Sequence, residues 1–299
     1  MAHCFSPVRP IVEGAVLAVV APSGSFNRKS FDLGVEWLRE RYEVRFDEGI
    51  YAEEGYFAGN DERRLKELKE AVADPDVDGI LCARGGYGAT RLLPNLAVEE
   101  VKEAGKLLVG YSDVTALHAL WARAGVRSMH APMVSVLGRA GSGVRESWRK
   151  TLEGDEEKVS WQGLETITGG TAEGRLSGGN LSVLCALLGT PFFPPLDDCV
   201  LFLEDVGEKP YRVDRMLTTM IQAGCFETCA AIVLGAFTDG KAGKDGVTVE
   251  DVLGERLAGL GVPVVKGFPA GHIDDNAPMM FGASIRLDGE GGVEVNTAG

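Results

Sequence analysis

The chain has 299 residues, of which 45% are hydrophobic, and a formal net charge of −14 at pH 7. A chain of this length is typical of two domains, or of one large domain with a sizeable core. A surface this acidic repels phosphate groups, so neither a nucleic acid nor a membrane surface is expected as a partner.

The first predicted element is a buried strand at residues 15–20, which read AVLAVV. The apolar run is too short to span a bilayer, and Glu13 precedes it where a secretory signal carries basic residues. No later segment is long enough for a membrane helix. We therefore expect a soluble, cytoplasmic protein.

Strand-like and helix-like patterns alternate through the first half of the chain. Amphipathic periodicity predicts one helix at 30–42, with Ser30 as its cap, and another at 61–73. Because continuous apolar strands alternate with these helices, we expect a parallel sheet that is covered on both faces. The further strands of this sheet are predicted at 78–82, 106–110 and 126–130.

The character of the chain changes at residues 138–172, which are polar, rich in glycine and weakly periodic. We place a linker at 151–172, between an N-terminal domain at 1–150 and a C-terminal domain at 173–299. The second domain again mixes both kinds of element. Its strands are predicted at 199–204, 230–235 and 284–287, and its helices at 179–189, 210–222 and 248–259.

The stretch RGGYG at 84–88 follows one predicted strand, and ligands of parallel sheets bind beyond the carboxyl ends of strands. Three glycines in five residues let backbone N–H groups approach an anion or an oxyanion. A tight turn into a following helix, from Ala89, explains the same residues. The glycine spacing does not match the dinucleotide fingerprint GxGxxG.

Ser112 lies in the stretch GYSD, directly after the strand predicted at 106–110. Ser112 or Asp113 is well suited to cap the helix predicted at 113–124. Alternatively, Ser112 is a nucleophile exposed on a strand-to-helix turn. The match to the hydrolase pattern GxSxG is partial, because Val114 replaces the second glycine.

A serine nucleophile needs a base, and the chain has four histidines. His3 lies in the N-terminal tail, and His118 faces away from Ser112 on the same predicted helix. His130 ends a strand and either lines the site or makes structural hydrogen bonds. His272, in a glycine- and proline-rich loop, is the best candidate base, although local hydrogen bonding explains a loop histidine equally well.

The base in turn needs an orienting acid, and Glu204 and Asp205 end the apolar run CVLFLE. A carboxylate at the end of a buried strand requires a partner. Either of the two acids is also suited to pair with Arg212 or Arg215 in the following helix.

Two further patterns fail. Residues 235–242 nearly spell a phosphate-binding loop, but Ala242 replaces the required hydroxyl. His272 is followed by two aspartates without a second histidine nearby, so we expect no metal and no cofactor.

Taken together, RGGYG, GYSD, LEDVGEKPYRVDR and the late Gly-His resemble the LD-carboxypeptidases, also called muramoyltetrapeptide carboxypeptidases. The order and spacing of these motifs match over nearly the whole chain. The resemblance implies a Ser-Glu-His triad of Ser112, Glu204 and His272. The choice of Glu204 over Asp205 comes from the family pattern alone.

The resemblance also implies an oxyanion hole formed by backbone N–H groups, those of Gly86 and Asp113. The implied fold is an N-terminal flavodoxin-like domain of parallel strands and a smaller C-terminal α/β domain with a mixed sheet. The active site is expected in the groove between them, and family members are commonly homodimers.

The implied substrate is the cytoplasmic murein tetrapeptide, whose terminal D-alanine is removed during peptidoglycan recycling. We expect Arg84, Gly85 and Tyr87 to contact this small peptide. Arg84 or Arg212 is a candidate partner for its free carboxylate, and a structural ion pair is the alternative for each. Two rival functions are a microcin-immunity peptidase, which cleaves aminoacyl or peptidyl nucleotide analogues, and a two-domain protein that binds a ligand without catalysis.

Overall fold

The computed structural model describes residue 5 and residues 8–155 and 158–296. The strands alternate with helices in the first half, as the sequence predicts. In chain order they are β1 (Val16–Val20), β2 (Glu43–Arg45), β3 (Gly79–Cys82), β4 (Leu107–Gly110), β5 (Ser128–His130), β6 (Lys158–Trp161), β7 (Glu165–Thr168), β8 (Ala172–Asn180), β9 (Cys199–Val206), β10 (Ala231–Thr238), β11 (Val264–Lys266), β12 (Met279–Phe281), β13 (Ser284–Leu287) and β14 (Val293–Asn296).

The helices cover both sheets. They are α1 (Arg28–Arg39), α2 (Asp61–Ala73), α3 (Val98–Ala104), α4 (Thr115–Ala124), α5 (Val134–Leu137), α6 (Ser142–Glu153), α7 (Leu181–Leu187), α8 (Pro210–Gln222) and α9 (Val249–Leu257). Two predicted helices, α2 and α8, have the predicted bounds. Helix α1 begins earlier than predicted because Asn27, not Ser30, is its cap: the Asn27 side chain accepts the N–H of Ser30 at 3.0 Å. In the described part of the chain, no helix combines the length and the apolar character needed to cross a bilayer.

The first sheet has the strand order β12-β5-β4-β3-β1-β2. Strands β1 to β5 are parallel and follow the flavodoxin-like order 2-1-3-4-5. The last strand, β12, comes from the second half of the chain and pairs antiparallel with β5. The predicted flavodoxin-like parallel sheet is therefore confirmed, with one strand added from the other half.

The second sheet has the order β6-β14-β13-β8-β9-β10-β11-β7. Its central strands β8 to β11 are parallel, and the outer strands pair antiparallel, so the predicted mixed sheet is confirmed. Residues 151–172, for which a linker is predicted, end α6 and supply β6 and β7 to two opposite edges of this sheet. These strands are only half-buried, which explains why their sequence has so weak a pattern.

The two sheets share one continuous apolar cluster. Val19 and Val109 of the first sheet belong to the same buried group as Phe202 and Val233 of the second. Glycines let β8 come close to its neighbours: a Cβ on Gly179 would lie 2.5 Å from the Thr115 hydroxyl at the start of α4. The strand ends that carry the candidate site residues are therefore held together by packing.

Candidate active site

Ser112 lies on the turn between β4 and α4, at the start of a short 3-10 helix at residues 112–114. Its φ angle is +63°, in the left-handed region that costs a non-glycine residue about 1–2 kcal/mol. A strained backbone conformation persists only where the surrounding contacts hold it in place. Such residues are concentrated at functional sites. Gly110 makes the turn possible, since a Cβ there would lie 2.8 Å from the Val114 side chain.

The RGGYG turn packs directly against Ser112. A Cβ on Gly85 would lie 3.0 Å from the Cβ of Ser112, so a larger residue at position 85 would require Ser112 to shift. The backbone N–H of Ala89 donates to Oδ2 of Asp113 at 2.8 Å, which ties the two turns together. The helix predicted from Ala89 is instead a pair of short 3-10 helices at 89–91 and 93–95.

The side chain of Asp113 does not cap helix α4, contrary to one of the two sequence interpretations of this turn. It makes no hydrogen bond to the first turn of the helix, because it is buried and turned toward Ala89. Burial raises the pKa of the Asp113 carboxyl. Ser112 does not cap the helix either, so the prediction that one of these two residues caps α4 is wrong.

Ser112, His272 and Glu204 form one hydrogen-bonded line. Nε2 of His272 lies 3.1 Å from Oγ of Ser112, and Nδ1 of the same ring lies 2.7 Å from Oε2 of Glu204. The Glu204 side chain is fully buried, whereas that of His272 is 19% exposed. A hydroxyl, an imidazole and a buried carboxylate in this sequence are suited to activate the serine as a nucleophile.

Strand β9 separates the two neighbouring carboxylates that the sequence left as alternatives, because successive side chains point to opposite faces. Glu204 faces His272, whereas Asp205 accepts hydrogen bonds from Asn180 Nδ2 at 3.0 Å and the Ser182 N–H at 2.9 Å. Asp205 therefore fixes the start of α7. Neither carboxylate pairs with Arg212, which lies 3.5 Å from Glu208 instead.

The charge of Glu204 is well stabilised although the residue is buried. Burial alone would raise its pKa, but the neighbouring imidazoles of His130 and His272 outweigh burial and lower the pKa to about 2. The Glu204 carboxyl is thus ionised throughout the neutral range.

The loop that carries His272 follows β11 and is held by its own hydrogen bonds. Oδ1 of Asn276 accepts the Gly271 N–H at 2.9 Å, and the Thr238 hydroxyl donates to the His272 carbonyl at 3.3 Å. Gly271 has φ +121°, and a Cβ there would lie 2.9 Å from Oε2 of Glu204. Glycine is therefore required directly before the histidine.

Substituting Gly271→Ala is expected to lower kcat by about 10- to 100-fold, because the new methyl group displaces the carboxylate oxygen that orients His272. Steady-state kinetics on a peptide substrate measures the loss. Gly267→Ala is the matched control: it also has a positive φ, of +88°, in the same loop, but a Cβ there meets no atom within 4 Å. If both variants lose activity equally, the effect comes from loop strain and not from the contact with Glu204.

The remaining predicted residues are placed as follows. His118 is buried, and its Nε2 lies 2.9 Å from the carbonyl of Gly110, so it is a structural residue of the core. His3 lies outside the described residues. Arg84 is exposed, and one of its guanidinium nitrogens donates to the Ser25 carbonyl. Tyr87 is 48% exposed, and its ring stacks with that of Tyr56 at a centroid distance of 6.0 Å.

Two further side chains lie beside the triad residues: Tyr111, which was not singled out from the sequence, and His130, for which lining the site and structural hydrogen bonding were left as alternatives. The ring of Tyr111 packs on that of His272 at a centroid distance of 5.0 Å. The sequence did offer a signal for this contact, since Tyr111 is an aromatic residue directly before the candidate nucleophile. His130 is fully buried beside Glu204, a position that depends on the pairing of β4 with β5. Within the described ranges, no three His, Cys, Asp or Glu side chains are grouped as metal ligands would be.

Comparison with known proteins identifies the family. Residues 17–131 match the LD-carboxypeptidase N-terminal domain, and residues 173–287 match the LD-carboxypeptidase C-terminal domain. A putative carboxypeptidase of Synechocystis sp. is 40% identical over 95% of this chain and 94% of its own. The murein tetrapeptide carboxypeptidase of Pseudomonas aeruginosa is 32% identical over 93% of this chain and 94% of its own.

The fold has a close counterpart among solved structures. The crystal structure of muramoyltetrapeptide carboxypeptidase from Oxalobacter formigenes superposes with a TM-score of 0.85 and 32% identity, and it covers 94% of this chain and 98% of that one. Both halves of the sequence match the family, and the relatives align over nearly their full length. The parallel sheet and the mixed sheet agree with this match. The chain belongs to the LD-carboxypeptidase family of serine peptidases.

Proposed function

We propose that Ser112 is the nucleophile of a carboxypeptidase reaction, with His272 as the general base and Glu204 as its orienting acid. The observation that carries this proposal is the hydrogen-bonded line from Oγ to Nε2 and from Nδ1 to Oε2, at 3.1 and 2.7 Å. Every other part of the mechanism depends on these two contacts.

In the first step, His272 takes the proton of Ser112 while Oγ attacks the carbonyl carbon of the scissile peptide bond. The ionised Glu204 holds the ring in the tautomer that leaves Nε2 free, and it stabilises the imidazolium that forms. His272 then gives the proton to the leaving amine. Water, activated by the same base, hydrolyses the acyl-enzyme and releases the shortened peptide.

The tetrahedral intermediate carries negative charge on the former carbonyl oxygen, and backbone donors next to Ser112 are suited to stabilise it. We propose that the N–H groups of Gly86 and Asp113 supply these donors. The contact of Gly85 with Ser112 and the bond from the Ala89 N–H to the Asp113 side chain support this proposal, because they join the turn that carries Gly86 to the turn that carries Ser112.

The proposed substrate is a murein tetrapeptide, from which the enzyme removes the terminal D-alanine. The names of the relatives from Pseudomonas aeruginosa and Oxalobacter formigenes support this substrate. We propose that Arg84, Gly85 and Tyr87 contact the peptide. The turn that carries them borders Ser112, and Arg84 and Tyr87 are exposed to solvent. Arg84 is the candidate partner of the substrate carboxylate.

The biological setting is also a proposal. By resemblance to the family, we propose that the protein acts in the cytoplasm, as a homodimer, during peptidoglycan recycling. We also propose that its two domains comprise residues 1–150 and 173–299.

Release of D-alanine from a defined tetrapeptide, detected by mass spectrometry, tests the proposed substrate. The expected result is release from the peptide that ends in meso-diaminopimelate–D-alanine. The matched peptide that ends in L-alanine, and a pentapeptide that ends in D-alanine–D-alanine, should be poor substrates. Hydrolysis of an acyl-sulfamoyl adenylate without any release of D-alanine would favour the microcin-immunity type of peptidase instead.

A further inference from the structure

Only one of the two carboxylate oxygens of Glu204 has a hydrogen-bond partner in the triad. Oε2 is bonded to His272, but Oε1 is buried and has no hydrogen-bond partner among the described residues. An ionised oxygen that is buried without a donor is costly, because it has given up its bonds to water. A donor is therefore expected close to Oε1.

His130, whose imidazole lowers the pKa of Glu204, is the candidate donor. It is fully buried at the end of β5, and neither of its ring nitrogens has a partner among the described residues. A buried imidazole with two unused nitrogens carries the same kind of cost as the carboxylate oxygen. One bond between the two groups would satisfy Oε1 and one of the two ring nitrogens.

The packing of the rings places His130 against Glu204. Phe202 and Glu204 are two residues apart on β9, so their side chains leave the strand on the same face. The ring of Phe202 packs on that of His130 at a centroid distance of 5.1 Å. The ring of Tyr111 packs against both imidazoles, at centroid distances of 5.7 Å from the His130 ring and 5.0 Å from the His272 ring.

The electrostatic effect agrees with this placement. The imidazole of His130 is one of the two groups that lower the pKa of Glu204 against the effect of burial. The other titratable groups around the pair are His272 and Tyr111 on the site side, His118 at a ring distance of 6.4 Å, and Asp205 on the opposite face of β9. None of these groups donates to Oε1 in the structure.

We propose that the imidazole of His130 donates a hydrogen bond to Oε1 of Glu204 and is a positioning residue of the active site. Neither atom has a hydrogen bond in the structure, so the ring and the carboxylate must reorient to complete the bond. The line then runs from Ser112 through His272 and Glu204 to His130. The bond keeps Glu204 ionised and keeps Oε2 directed at the ring of His272. This inference rests on the proposed function.

The test compares His130→Phe, which removes the donor but keeps a ring, with His130→Gln, which keeps a donor. For His130→Phe, kcat is expected to fall by about 10- to 100-fold with KM within about twofold, as for loss of a hydrogen bond to a charged group. His130→Gln should recover at least half of that loss on a logarithmic scale. His118→Phe is the matched control for the aromatic core, because His118 is equally buried but bonds to Gly110.

The pH profile separates positioning from simple packing. The proton that switches the base off is bound by His272 and Glu204 as a pair. Without a donor on Oε1 the pair is more basic, so the acid limb of kcat/KM should move to higher pH by about 0.5 to 1 unit in His130→Phe. The same limb should stay in place in His118→Phe, even if that variant is less stable.

The rate of phosphonylation by a fluorophosphonate probe, in which Oγ attacks phosphorus and fluoride leaves, is measured over the same pH range, because it needs no peptide substrate. A folded His130→Phe protein with an unchanged phosphonylation rate and acid limb would overturn the inference, and so would a His130→Gln variant as impaired as His130→Phe. Absence of phosphonylation in the unmodified protein would instead refute the proposed nucleophile. The two failures are therefore distinguishable.

Discussion

The variant Ser112→Ala is expected to lose kcat by on the order of 10⁶-fold, since removing the nucleophile of such a triad costs about as much as removing the whole unit. Substrate affinity should change little, because the hydroxyl contributes chemistry and not binding. The loss is measured as D-alanine release, and in parallel as labelling by a fluorophosphonate probe, which phosphonylates activated serines with release of fluoride.

Two further variants make this result specific. Ser142→Ala removes an exposed serine at the start of α6 and should be labelled like the unmodified protein. Ser112→Gly should be as inactive as Ser112→Ala but more stable than it by about 1–2 kcal/mol, because glycine adopts the left-handed backbone at +63° without strain. Equal labelling of the unmodified protein and Ser112→Ala would show that the probe reacts with another residue.

The variant Glu204→Gln is expected to lower kcat by roughly 10³- to 10⁴-fold with little change in KM, as for the equivalent amide substitution in other serine triads. The neutral amide no longer stabilises the imidazolium, and its NH₂ group favours the wrong tautomer of His272. Asp205→Asn is the matched control: this neighbouring buried carboxylate contacts Asn180 and Ser182 and not His272. Its kcat should stay within about tenfold of the unmodified protein. Equal losses in both variants would refute the assignment of Glu204.

The same substitution has a second expected effect, on stability. The pKa of Glu204 is lowered from 4.5 to about 2, against burial, by His130 and His272. A lowered pKa means that the ionised form stabilises the folded state above about pH 4.5, and that this contribution is lost as the pH falls toward 2. The difference in Tm between the unmodified protein and Glu204→Gln should therefore narrow between pH 6 and pH 3. A difference that does not change with pH would contradict the lowered pKa.

Much of the fold follows from local patterns in the sequence. Helix α2 was predictable to the residue because its apolar face and its charged face alternate regularly over 61–73. Strands β3 and β4 were predictable because they are buried along their whole length and read as apolar runs, and β9 because it begins with five buried apolar residues. These elements carry the turns and strand ends on which Ser112 and Glu204 lie.

The elements that were missed depend on contacts between distant parts of the chain. Strand β12 is three residues long and is formed only by pairing with β5, far away in sequence. Strands β6 and β7 at the edges of the second sheet bury too little to show a period. Their positions are set by tertiary pairing, which a short sequence window does not contain.

The candidate site shows the same limit. Local chemistry narrowed the base to His272, and the family resemblance, not the strand pattern, chose Glu204 over Asp205. The structure brings Ser112, His272 and Glu204 within hydrogen-bond distance, across 160 and 68 residues of sequence. The turn chemistry of Asp113 was misread because its bond to Ala89 joins two turns that only the fold places side by side.

The pairing of β12 with β5 has a consequence for any attempt to study the two halves separately. A fragment cut at residue 150 loses β12, and β5 then becomes an uncovered edge strand with free N–H and C=O groups. Such an edge is a template for another copy of the fragment, so the isolated first half is prone to self-association. The half that carries Ser112 therefore depends on the half that carries Glu204 and His272 to cover this edge.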